Sequence, residues 1–343
     1  MKRLLNTLFI TTQGSYLARE GENILVKVEK QTKFCIPIHT LEGIVCFGQV
    51  SCSPFLMQLC GENKVSISFL TLYGHFMARV QGPISGNVFL RREQYRRADD
   101  QEKSCDIIRP IVMGKIYNSR VVINRSIRDH GETIDLSSMN EISNKLSRII
   151  DRVNDANQID QIRGYEGEAA NLYFSVFDNL ITSQKDSFFF KERSRRPPLD
   201  PMNALLSFIY TLLLHDVTSA LEVVGLDPQV GFLHTDRSGR DSLALDMMEE
   251  FRPFFADRLV LSLVNRQQVK AKGFIKTESG AYLMDDVTRK TVLTTYQQRK
   301  MEEIHHPFIN EKIEFGLIPY VQSLLLAQYL RGDIDGYPPY LWK

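Results

Sequence analysis

Residues 231–253 read GFLHTDRSGRDSLALDMMEEFRP, which sets one histidine, His234, ahead of the turn-forming Ser238-Gly239-Arg240-Asp241 and then places carboxylates at Asp246, Glu249 and Glu250. If a helix starts after that turn, Asp246 and Glu249 share a face, because residues three apart on a helix have Cβ atoms roughly 5–6 Å apart. Ser242, Asp246, Glu249 and Glu250 make its polar side, and Leu243, Met247 and Phe251 its apolar side. One imidazole and two or three carboxylates joined by a short loop have the donor types of a divalent-metal half-site. A structural reading competes with this: Asp-x-x-Glu-Glu is usually the wet side of an amphipathic helix, the commoner outcome for such a stretch taken alone.

A second carboxylate stands out in residues 162–181, IRGYEGEAANLYFSVFDNLI. Ala169, Leu172, Tyr173, Val176, Phe177 and Leu180 form a helical apolar stripe, and extending it backwards takes in Glu166 and Ile162. Glu168 instead shares the polar face with Asn171, Ser175 and Asp178. A carboxylate on the core-facing side is costly unless a cation, a metal or several hydrogen bonds compensate it. The alternative is that Gly164 and Gly167 put Glu166 in a first helical turn, where the helix dipole welcomes negative charge.

The elements that must hold these residues imply an α+β chain, with a small N-terminal β-sheet domain followed by a larger, mostly α-helical catalytic domain. Residues 1–85 alternate as strands, with Ser53 placed to cap a short helix from Pro54 to about Cys60 and a hairpin expected around Tyr73-Gly74. Residues 86–100 form a basic linker whose Arg91, Arg92, Arg96 and Arg97, with Tyr95 among them, suit a phosphate backbone; a charged linker helix explains them equally well. From 101 to 343 the period is helical, with helices expected over 107–128, 139–153, 254–264, 287–299 and 314–330. Residues 184–201, QKDSFFFKERSRRPPLDP, have no period and read as a loop whose Lys191, Arg193, Arg195 and Arg196 lie near three phenylalanines, a mixture suited to splayed nucleic acid. Residues 203–214 are apolar nearly all round, a buried central helix with Asn203, Ser207 and Tyr210 on one face. A hairpin is expected within 269–284, with Ser279-Gly280 at its turn.

Composition narrows the classes. The 343 residues are 43% hydrophobic with a net charge of +1, so a nucleic-acid role must rest on local patches. No unbroken apolar run approaches the ~20 residues that span a bilayer, and the N-terminus reads as a strand rather than a signal, so a cytoplasmic protein without membrane partners is expected. The five cysteines show no C-x-x-C spacing and read as small buried hydrophobes. There is no P-loop, G-x-G-x-x-G or G-x-S-x-G, hence no support for nucleotide hydrolysis or serine acyl chemistry.

Three segments taken in order, residues 162–167 with Ala169-Ala170 and Tyr173, then Arg196-Pro197-Pro198 with Asp200-Pro201 and residues 203–206, then residues 231–253, resemble the CRISPR-associated adaptation integrase family. Its members are metal-dependent DNA nucleases that insert new spacers into a CRISPR array in prokaryotic antiviral defence, and they pair an N-terminal β-domain with a larger helical one. The resemblance implies that Glu166, His234 and Glu249 are catalytic and bind Mg²⁺ or Mn²⁺, the histidine favouring Mn²⁺; spacing alone leaves Glu250 open. Asp246, Asn203 and Arg252 match supporting positions near the site. It further implies DNA partners (a short spacer duplex, the repeat and branched DNA), a homodimer, a small companion adaptation protein and, more weakly, an iron–sulfur nuclease. Arg237 and Arg240, flanking the His234 loop, are placed to hold a substrate strand. A catalytically silent DNA-binding or assembly subunit of the same fold is the other reading.

Overall fold

The computed structural model describes residues 7–342 apart from 42, 73–75, 81, 83–87 and 133. Its contacts divide the chain into two compact units, Met1–Gly86 with Leu293–Glu302 and Glu314–Leu317, and Asn87–Val292 with Glu303–Ile313 and Ile318–Lys343.

In the first unit the strands are β1 (Thr7–Ile10), β2 (Tyr16–Glu20), β3 (Asn23–Val28), β4 (Gln31–Pro37), β5 (Gly43–Phe47), β6 (Ser51–Cys52), β7 (Ser66–Leu70) and β8 (Phe76–Val80), with helix α1 (Pro54–Glu62) before β7. Among the described residues they make two sheets, ordered β1-β5-β7-β8 and β4-β3-β2-β6. The first is mixed: β5 runs parallel to β1 and β7, and β7 pairs with β8 antiparallel. Parallel neighbours need a crossover, and α1 lies in the connection from β5 to β7. As expected, α1 is capped by Ser53, whose side chain accepts from the Leu56 N–H. Leu17, Ile24, Val26, Ile44, Leu56, Leu59 and Ile67 build the core with Cys46 and Cys60. Burial pushes both of those thiols up to about 12, so they behave as hydrophobes; Cys105 is also buried, whereas Cys35 is exposed against expectation, because it lies on the outward edge strand β4. The expected Tyr73-Gly74 turn lies outside the described residues.

The second unit begins with α2 (Val88–Ala98), α3 (Gln101–His130), α4 (Leu136–Asn154) and α5 (Ile159–Ser175). Next come α6 (Pro201–Val224), α7 (Ser242–Met248), a π-helical turn over Arg252–Asp257 and α8 (Arg258–Asn265). The chain continues as β9 (Phe274–Lys276), β10 (Tyr282–Met284), α9 (Asp286–Lys300), β11 (Glu303–His305), β12 (Lys312–Glu314) and α10 (Ile318–Arg331). Helix α3 begins earlier than the hydrophobic period implied because Asp100 caps it, accepting from the N–H groups of Glu102 and Lys103. The basic segment is helical: within α2 the buried Gln94 donates to the carbonyls of Asp227 and Val230, both at 2.8 Å, and so holds the loop that leads to His234. By length and composition α6 is apolar enough to cross a bilayer, but 67% of its most apolar window is buried inside the protein, as suits a central core helix.

Candidate active site

Glu166 lies on the inward stripe of α5 with Ile162, Ala169 and Tyr173, whereas Glu168 faces outward and pairs with Arg152 at 3.0 Å. Because α5 starts at Ile159, Glu166 is beyond its first turn and the helix-dipole explanation fails. A cation compensates it instead. Lys115, from the middle of α3, sets its Nζ against Glu166 Oε1 and 2.7 Å from Glu249 Oε2. Arg252 takes the other oxygen of Glu249, Nη1 to Oε1 at 3.0 Å. The lysine side chain is 12% exposed and that of Glu249 only 4%, so removing one member would leave an uncompensated buried charge. Burial alone would raise the Glu249 carboxyl, but Arg252 and Lys115 outweigh it and hold the group at about 2. For Lys115, burial works to lower its value, and Glu249 and Glu166 together carry it above the usual lysine value.

The wet-face reading of residues 242–250 does not hold: Ser242, Asp246, Glu249 and Glu250 are all buried, because α7 sits against α6 and α3. Asp246 gathers the histidine loop onto α7. Its Oδ2 accepts from the N–H groups of Phe232 (2.6 Å) and Leu233 (3.0 Å), and its Oδ1 from that of His234 (3.0 Å). His234 Nδ1 also lies 2.6 Å from Oδ1, so the carboxylate favours the tautomer with the proton on Nδ1 and leaves Nε2 for a ligand. Gly231 permits this approach, since a Cβ there would fall 2.8 Å from both Asp246 Oδ2 and Ser242 Cβ. Arg163 braces the loop from α5, donating to the Leu233 carbonyl at 2.8 Å. His234 is close enough to Glu249 to help lower its carboxyl.

Glu250 faces the other way, into the C-terminal tail. Its Oε1 accepts from the Tyr337 hydroxyl and its Oε2 from the Tyr340 N–H at 2.6 Å. Asn118, on α3 one turn beyond Lys115, donates to the carbonyls of Glu250 (2.8 Å) and Tyr340 (2.9 Å) and accepts from the Trp342 N–H (2.8 Å). Behind Tyr337, Gln322 donates to its hydroxyl at 2.7 Å, and the Gln322 carbonyl oxygen lies 3.0 Å from His306 Nε2. Phe254 stacks on Tyr340 with centroids 4.8 Å apart, and Arg258 lies 4.3 Å over the Trp342 ring. Burial pushes the Glu250 carboxyl up to about 8 against the pull of Tyr337 and Tyr340. Of the two carboxylates, Glu249 and not Glu250 shares a cation with Glu166.

A match to the family model described as CRISPR associated protein Cas1 spans residues 8–298. The chain belongs to the Cas1 family. It is 55% identical over 343 residues to the CRISPR-associated endonuclease Cas1 1 of Chlorobaculum tepidum, covering the whole of both chains. A CRISPR-associated exonuclease Cas4/endonuclease Cas1 fusion of Geobacter sulfurreducens is 31% identical over 344 residues, covering 98% of this chain and 60% of the fusion. Among solved structures, a CAS1 protein from Thermotoga maritima superposes with a TM-score of 0.82 at 25% identity, covering 95% of this chain and 97% of that one. The strand-rich region followed by a mostly helical part is the Cas1 fold, as the sequence led us to expect.

Whether this site suits a metal can be judged from the donors. Among the described residues no three His, Cys, Asp or Glu side chains are grouped as a ready chelate. Lys115 holds the point where the two carboxylates meet. The donor set nevertheless fits a hard divalent ion: two carboxylates converge on one cation, and Asp246 orients a nearby imidazole. Glu249 Oε2, moreover, is buried in ion contact with Lys115 but has no aligned hydrogen bond.

The supporting residues separate. Asn203 is fully buried and pins the 184–201 loop, accepting from Arg193 Nη1 at 2.7 Å and donating to the Glu192 carbonyl at 2.8 Å; its described partners do not include Glu166, His234 or Glu249. Arg193, read from the sequence as a DNA contact, turns inward to Asn203 and Ser207, because the loop folds onto the polar stripe of α6. Arg193 and Arg252 both lie over the Tyr210 ring, at 5.4 and 5.1 Å, and Tyr210 donates to Asp257 at 2.6 Å, linking that loop to the partner of Glu249. Lys191, Arg195, Arg196, Arg92, Arg96 and Arg237 are exposed, and Arg91 and Arg240 are half-buried. Arg97 is engaged with Glu93 at 3.1 Å and lies over the Tyr329 ring. Sequence reasoning missed Lys115 and the tail residues Tyr337, Tyr340 and Trp342.

Proposed function

We propose that this Cas1-family chain is a divalent-metal-dependent DNA endonuclease and integrase that inserts spacer DNA into a CRISPR array by 3′-hydroxyl transesterification. The observation that carries this is the convergence of Glu166 and Glu249 on a single cation beside a histidine oriented by Asp246. Glu166, His234 and Glu249 are the residues that would hold Mg²⁺ or Mn²⁺, which supplies Lewis acidity at the scissile phosphate and lowers the pKa of the attacking hydroxyl. Asp246 keeps the imidazole in one tautomer, and Arg252 fixes the rotamer of Glu249. The exposed Lys191, Arg195, Arg196, Arg92, Arg96 and Arg237 supply sequence-blind phosphate contacts.

In strand transfer the 3′-oxygen bonds to phosphorus as the bond from phosphorus to the departing strand's 3′-oxygen breaks, and the hydroxyl proton ends on that leaving oxygen. One phosphodiester replaces another, so no triphosphate is required. Joining two DNA ends calls for two such centres, hence a homodimer, together with a small companion adaptation protein that sets their separation. The endonuclease name of the Chlorobaculum relative supports nuclease chemistry, and the exonuclease fused to the Geobacter relative supports a nuclease partner. The test combines a labelled duplex, a supercoiled plasmid carrying the array, the companion protein and Mn²⁺ or Mg²⁺. Joining should require free 3′-hydroxyl ends; joining that persists with 3′-dideoxy ends would overturn transesterification.

A further inference from the structure

We propose that Lys115 is a resident counter-cation which a divalent ion must displace, so that this lysine sets the metal affinity of the site and holds Glu166 and Glu249 together until the ion arrives. The inference rests on the metal reading above and adds a residue that the ligand set does not contain.

The geometry makes the two cations exclusive. Any divalent ion held by Glu166 and Glu249 would draw on the same two carboxylates that the ammonium already contacts, so the two cations would compete for one place. Like charges brought together in a poorly solvated interior repel strongly. The ammonium can leave without shedding its proton: it is a compact charge on a flexible four-carbon stem, and its three donors are satisfied equally by water or by phosphate oxygens. Glu249 would keep Arg252 on its other oxygen throughout, so its rotamer survives the exchange. Glu166, Glu249, Lys115 and Arg252 sum formally to zero charge, and a neutral side chain in place of Lys115 makes the group net negative.

The test is Mn²⁺ binding to the purified full-length protein, followed by calorimetry and by the spin-resonance signal of free Mn²⁺. Four proteins are compared: wild type, Lys115→Met, Lys115→Arg and Glu249→Gln. The expected result is binding at least ~10-fold tighter in Lys115→Met, no tightening in Lys115→Arg, which keeps the charge, and loss in Glu249→Gln. Melting should agree, with Lys115→Met less stable than wild type in chelator and gaining more from Mn²⁺. If Lys115→Met does not fold, Lys115→Gln carries the same expectation. Equal or weaker binding in the neutral variants, with wild-type binding still abolished by Glu249→Gln, overturns the displacement and leaves the metal reading standing. Absence of any Mn²⁺ binding in wild type that depends on Glu249 overturns both.

Discussion

Glu249 and Glu250 are consecutive and both buried, yet they belong to opposite regions of the second unit. Glu249 faces a cluster of full charges, Lys115, Arg252 and Glu166, and is held at about 2. Glu250 faces neutral donors from the C-terminal tail, the Tyr337 hydroxyl and the Tyr340 amide, and is pushed up to about 8. Burial opposes the charged form of both carboxylates, and only charged neighbours reverse it. The difference separates a group kept ionised among charged neighbours from one that fastens the tail beneath α3.

Disabling the charged region should have the largest effect. If the proposed function holds, Glu166→Ala and His234→Ala should each lower Mn²⁺-dependent DNA cleavage by at least ~10³-fold, since the proposed three-ligand site fails when one ligand goes; Glu168→Ala, on the outer face, should be mild. Gel assays on branched DNA with Mn²⁺ check this. Next in size is Asp246→Asn. Two backbone N–H groups point at Oδ2 and one, with the His234 ring, at Oδ1, so in either orientation an amide NH₂ must face a donor, and the neutral amide holds the imidazole more weakly than the carboxylate. Metal affinity should fall ~10–100-fold, as measured by calorimetry, with the fold retained.

Changes on the tail side should be read in stability. Tyr337→Phe removes one donor to Glu250 and should cost about 1–2 kcal/mol in urea unfolding, with cleavage changed far less than by Asp246→Asn. The two carboxylates also differ in pH dependence. Between the usual glutamate value of 4.5 and about 8, Glu250 holds a proton in the folded protein and not in the unfolded chain, so its contribution to stability falls as pH rises. Glu249 has the opposite sign: below 4.5 the unfolded chain takes up the proton first, and stability is lost as pH falls toward about 2. Glu250→Gln should flatten the decline in melting temperature between pH 4.5 and 8.

Much of this was legible in the sequence where periodicity and burial agree. The stripe on α5 separated Glu166 from Glu168, Ser53 marked the start of α1, and the apolar run of α6 marked a central helix. The same rule could have found Lys115, which falls on the stripe of Ile108, Ile111, Val112, Ser119 and Val122, all buried on α3. A single lysine on the apolar stripe of a thirty-residue helix is easily passed over as a surface group. The tail was not legible: residues 332–342 have no period, and their register comes from hydrogen bonds to Asn118 and Glu250, far away in sequence. Nor could spacing tell Glu249 from Glu250, because α7 ends at Met248 and a π-helical turn begins at Arg252, so ideal helical angles do not apply between them.

The most direct measurement is Mn²⁺-dependent cleavage of branched DNA by Glu249→Gln and Glu250→Gln side by side, each checked for folding by its melting curve. Glu249→Gln should be inactive, and Glu250→Gln should stay within ~10-fold of wild type, because the proposed metal ligand is irreplaceable where a tail anchor is not. Full activity in Glu249→Gln with loss in a folded Glu250→Gln would contradict the assignment of the charged region as the catalytic one.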